Sequence, residues 1–261
     1  MMDLKIPSFN LSESSKLIPV KLKNDAIVEA LFEIRFSMLT IPEVFFGRIA
    51  DCAFWENFKQ ETLPISMLPA AMRQADPNLR YQPVFALVDE KEKRAVRIGS
   101  NVLVYSRGMP YVGWKDFKKE LEEVIVDVFE KSNDLHIERL GLRYLNALMS
   151  DVHGIQSISD LDMKLEIDRK PITESMNVNV TTDRKSDTAC TVRIATTDII
   201  QGNLPPGTTI YVDVDVFTDK EGFETTDQDF VKQWIEKAHT KEKTRFFQLL
   251  TSETIESLRE K

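Results

Sequence analysis

Apolar and polar residues alternate over DAIVEALFEIRFS, residues 25–37, and that period of two predicts a β-strand. Ala26, Val28, Ala30, Phe32, Ile34 and Phe36 read as its core face, with Ile27, Glu29, Leu31, Glu33 and Arg35 on the other. The same alternation recurs in YQPVFALVD, RAVRIGS and VLVYSRG, separated by turn-forming DEKEK and SN, and in HIERLGLRYLNALM. Further along it returns in LDMKLEID, SMNVNVTTD, TACTVRIATTD and TTIYVDVDVFTD. Between these runs the period changes to that of a helix. GWKDFKKELEEVIVDVFEKSND sets Phe117, Leu121, Val124, Ile125, Val128 and Phe129 on one stripe. A second helix starts near Asp227 with Phe230, Trp234, Ile235 and Ala238, and TSETIESLREK closes the chain. A shorter helix is expected from Pro42, with Phe45, Ile49, Cys52 and Ala53 at helical spacing.

Strands followed by a helix, twice over, predict an α+β fold of curved antiparallel sheets with packed amphipathic helices. WKDF and DQDF occupy equivalent helix starts, which raises the expectation of a two-fold pseudo-repeat. The expected organisation is an N-terminal tail or arm over residues 1–22, one α+β module over 23–155 and a second over 156–261, packed as one unit. Residues 63–83 hold four prolines and read as a long loop with a short helix near Ala70–Gln74. Its Met67 and Met72 suit either an adaptable contact surface or a satellite cluster beneath the loop.

Composition narrows the function classes. The chain of 261 residues is 42% hydrophobic and 29% charged, as an ordinary globular protein is. No apolar run approaches the roughly 20 residues that cross a bilayer, and the N-terminus lacks the apolar stretch of a secretory signal. A net charge of −8 argues against nucleic acid as a partner. Cys52 and Cys190 stand far apart in apolar patterns and read as buried free thiols, which fits the reducing cytoplasm.

Glycine-rich phosphate loops, a GxSxG elbow and an HExxH pair are all absent from the sequence. His136, His153 and His239 are not spaced for a shared metal. No catalytic residue or cofactor is therefore assigned. What remains is charge on strand faces: Glu29, Glu33 and Arg35 on the first strand, Arg139 and Arg143 about Gly141, and Tyr211, Asp213 and Asp215 on IYVDVDVF. Three readings stay open for this face: a solvated surface, a partner-binding surface that also takes in Trp55, or the lining of a tunnel. In the last, Glu29, Glu33, Asp213 and Asp215 would hold Mg or Mn while Arg35, Arg139 and Arg143 grip phosphate, making a metal-dependent phosphohydrolase or nucleotide-binding protein. Triphosphate tunnel enzymes carry ExExK on such a strand; here the order is Glu29-x-x-x-Glu33-x-Arg35.

The ordered set KNDAIVEALFEIRFS, GWKDF, ERLGLRYLN, IYVDVDVF and FFQLLTSE resembles a family of prokaryotic proteins of similar length, sporadically distributed among genomes and without an assigned activity. That resemblance covers residue 22 onward. It implies a mobile or defence-associated gene whose product serves as an antitoxin, sensor or adaptor, and it supplies no catalytic residues. The expectation is a cytoplasmic interaction or regulatory protein that binds a macromolecule, either another protein or a second copy of the chain.

Overall fold

Most strands form where alternation places them, and nine join into one sheet. A computed structural model describes residues 18–19, 22–132, 134–172, 175–200 and 204–259. Most of the expected N-terminal arm lies outside these residues; Leu22 is buried and bridges to Arg259. In chain order the elements are β1 (Ile27–Ser37), α1 (Pro42–Ala50), β2 (Lys59–Thr62), α2 (Ala70–Ala75), β3 (Phe85–Asp89), β4 (Arg94–Ile98), β5 (Val102–Gly108) and α3 (Trp114–Lys131). There follow β6 (His136–Met149), α4 (Ser150–His153), β7 (Glu166–Ile167), β8 (Lys170–Pro171), β9 (Asn177–Thr182), β10 (Ala189–Thr196), β11 (Thr208–Phe217), α5 (Gln228–Gln248) and α6 (Ser252–Leu258).

Nine strands pair in the order β2-β3-β4-β5-β1-β6-β11-β10-β9, all antiparallel where paired. The fold is α+β, with β1 and β6 at its centre. Read outward from that pair, β5, β4 and β3 lie on one side and β11, β10 and β9 on the other, and α3 follows β5 as α5 follows β11. One sheet takes strands from both sides of residue 155, because β6 pairs with β11. It is open: β2 and β9 are its edges.

One face is apolar and covered. Ala30, Phe32, Ile34 and Phe36 of β1, Leu140, Leu142 and Leu148 of β6, and Val212, Val214 and Val216 of β11 are buried there; α3 packs on β5, α5 on β6 and β11, and Phe45 of α1 meets Phe36 at 5.5 Å between ring centres. Helices α3 and α5 present Phe117, Leu121, Val124, Ile125 and Val128, and Val231, Trp234, Ile235 and Ala238. Burying each large aliphatic or aromatic side chain contributes about 1.5–3 kcal/mol. The Asp227 carboxylate caps α5, accepting from the Asp229 and Phe230 N–H groups at 2.9 and 3.2 Å. No helix among the described residues is long and apolar enough to cross a membrane.

Three details depart from the alternation. A bulge at Val28 between Ile27 and Glu29 reverses the start of β1, so Ile27 packs on the core and Val28 turns to the open face. LDMKLEID does not join the large sheet: Glu166–Ile167 pair with Lys170–Pro171, Leu161 makes a single bridge to Leu250, and Met163 and Leu165 pack on the core outside it. Conversely, Lys59–Thr62 forms an edge strand without one apolar residue, since an edge in water has no face to bury.

Candidate functional site

The open face gathers most of the charged residues singled out in the sequence. Cross-strand register sets Arg35 beside Arg139, Glu33 beside Gly141, Leu31 beside Arg143, and Arg143 beside Asp215. Arg139 bonds Glu33 and approaches Asp215 at 3.4 Å, with its guanidinium 4.6 Å from the Phe217 ring centre. Glycine at 141 makes this arrangement possible: a Cβ there would lie 2.9 Å from Arg139 Nη1. Arg35 donates to Glu33 at 2.8 Å and lies over Tyr81 from the long loop. Arg143 grips Asp213 with two bonds of 2.8 and 2.5 Å, which holds the guanidinium well above its ordinary range. Burial pushes the Asp215 carboxyl up while Arg139 and Arg143 pull it down.

Pairing is what keeps these acids from forming a metal site. Glu33 and Asp215 share Arg139, Asp213 holds Arg143, and Glu29 faces Arg97 at 3.9 Å. Among the described residues no three acidic, histidine or cysteine side chains come together as metal ligands. The set Glu29, Glu33, Asp213 and Asp215 expected for Mg or Mn is therefore not assembled, and the strands bearing it belong to an open sheet. Towards one end, the β10–β11 connection (Ile200, Leu204, Pro205) walls a groove of about 630 Å³ with Glu29, Leu145, Arg193 and Tyr211. Burial raises the Tyr211 hydroxyl to about 12, and Arg193 lies over its ring at 5.8 Å.

Trp55 is not on this face. It is buried on the helix side, 4.4 Å from Phe54, 5.1 Å from Phe58 and 5.9 Å from Tyr105 by ring centres, so its expected contact role is corrected to a core one. The methionines of the long loop do stand in solvent, Met67 with 87% and Met72 with 57% of its surface exposed. Both cysteines are free and buried, and burial pushes the Cys52 thiol to about 11 and that of Cys190 to about 12.

A second constellation, on the helix side, escaped the sequence reading. A cavity of about 520 Å³ lies between the start of β1, the segment Tyr111–Lys115 entering α3, β6 and the last turns of α5. Glu242 lines it and is 5% exposed. Burial pushes that carboxyl up to about 8, against the pull of Lys243. The Tyr111 and Tyr144 hydroxyls meet at 3.1 Å, and the His239 ring stacks on Trp114 at 3.9 Å. Burial lowers His239 to about 4, which keeps the imidazole neutral. Asn146 is buried in the same wall and donates to the Tyr144 and Val212 carbonyls at 3.3 Å each. The signal was present in α5, where Val231, Trp234, Ile235 and Ala238 continue to Glu242 and Phe246 along one stripe. An acid at a core position is the anomaly. Tyr144 and Asn146 likewise follow Leu140 and Leu142 on the core face of β6.

No protein-family model matches the chain, and no curated protein matches it.

Proposed function

We propose that the chain is a cytoplasmic interaction protein that binds another protein through the open face of its sheet, in a regulatory or adaptor role. The supporting observation is the make-up of that face: arginine–carboxylate pairs interleaved with half-buried Leu31, Leu145 and Phe217, with Tyr211 buried among them. Surface ion pairs contribute only about 0–1 kcal/mol each to stability. Arrays of them instead set partner choice, and aromatic and arginine side chains provide the anchors. Near-equal numbers of acids and arginines fit a protein surface better than a phosphate backbone. The family resemblance points the same way, towards an antitoxin, sensor or adaptor.

Variants for the test must not damage the fold. Arg143 is unsuitable, since its loss would strand the buried Asp213 carboxylate at a cost of about 1–3 kcal/mol. Leu31→Arg together with Arg97→Glu alters half-exposed side chains only. Native mass spectrometry of the chain purified gently from its own host should find a stoichiometric second protein that the double variant loses, with an unchanged melting curve. Retention of that protein by the variant refutes the surface assigned here. A homodimer lost in the variant replaces the foreign partner with a second copy.

A further inference from the structure

We propose that the helix-side cavity binds a small organic cation, an ammonium or amidinium nitrogen on an apolar body, with Glu242 as its counter-ion. This site is separate from the open sheet face and stands independently of it.

Glu242 is the starting point. It occupies a core position on α5, and no backbone or side-chain donor among the described residues bonds its carboxyl. A buried acid without a partner is costly, and it invites a ligand that supplies one. Its surroundings select the sign of that ligand. Burial raises the Tyr111 and Tyr144 hydroxyls; the nearby acids Glu242, Asp25 and Glu120 add to it at Tyr111, and Glu242 acts on Tyr144 as well. The basic groups along the cavity do not reverse this. Lys115 is exposed, His239 is neutral, and the Glu242 carboxyl stays raised despite the pull of Lys243. An anion would find no partner in the Glu242 carboxyl, whereas a cation supplies the one that its ionised form lacks.

The walls fit the rest of the molecule. Tyr111, Trp114, Tyr144, Phe246 and Phe247 line the cavity, and aromatic rings attract an organic cation through their faces. The volume of about 520 Å³ suits one small molecule. Binding has a proton balance. Near neutral pH the empty site holds Glu242 protonated, so a cation that pairs with the carboxylate drives one proton into solvent. Affinity should therefore rise with pH until Glu242 is ionised without ligand.

Calorimetric titration of the full chain with 2-phenylethylammonium tests this, with neutral 2-phenylethanol and anionic phenylacetate as shape-matched controls. The expected result is saturable binding of the ammonium alone, tightening at least about tenfold between about pH 6 and about pH 8. Titration in two buffers of different ionisation enthalpy should show proton release, a readout that requires no variant. Glu242→Gln, which keeps the side-chain volume, should weaken binding at least about tenfold at pH 8 and remove the pH dependence. Phenylacetate or phenylethanol binding as well as the ammonium overturns the proposal. So does an ammonium that fails to bind, binds without proton release, or binds the variant with undiminished affinity.

Discussion

Glu242→Gln is expected to stabilise the protein at pH 8 and to flatten the fall in stability that the native chain shows above about pH 6.5. The sign follows from burial. The folded carboxyl is raised to about 8 from an ordinary 4.5, so between these values the folded state holds a proton that the unfolded chain has lost. Stability from this group is fully present below 4.5 and declines as pH rises through 8. The span corresponds to roughly 3–5 kcal/mol, a large share of the stability of most domains. His239 acts oppositely. Lowered to about 4 from 6.5, it adds stability as pH rises between those values and masks part of the decline there. The clean window therefore lies above 6.5. Thermal melts of both proteins at about pH 5, 6.5 and 8 check the difference, which should widen at each step. Parallel curves would mean that Glu242 is ionised in the folded protein throughout.

Trp55→Ala is expected to cost about 3–5 kcal/mol in urea unfolding, the usual range for removing a large ring from a packed core. Trp55 is 2% exposed and lies against Phe54, Phe58 and Tyr105 beneath the sheet. Trp55→Phe should recover much of the loss, because the neighbours that pack on the indole can close partly on a smaller ring. A loss below about 0.5 kcal/mol for the alanine variant would place the ring at the surface, as its sequence neighbourhood had implied.

That misreading shows where local pattern stops being informative. Trp55 sits in a short 3₁₀ turn, Ala53–Trp55, between α1 and β2. In such a turn neither the helical nor the strand period applies, so exposure could not be inferred from spacing. In the long strands the period was decisive. The polar sides of β1 from Glu29 onward, of β6 and of β11 face the same way because all three bury their alternate positions in the one core on the helix side. Register was not legible. That Arg139 would lie between Glu33 and Asp215 depends on which strands neighbour one another, and the same neighbours separate the acids that a tunnel would have brought together. Reversal of Ile27 and Val28 required a bulge, which leaves no mark in an apolar run. Glu242 was legible in principle. The apolar stripe of α5 runs on past Ala238 and meets the acid one turn later.

The most direct test of the open face as the contact surface is site-specific photo-crosslinking in the host cell, with benzoylphenylalanine at Leu31 and, as control, at exposed Lys119 on α3. A discrete crosslinked product with one second protein from position 31, and none from position 119, is the predicted result. Crosslinks from position 119 alone, or none from position 31, would contradict it and assign the open face to solvent.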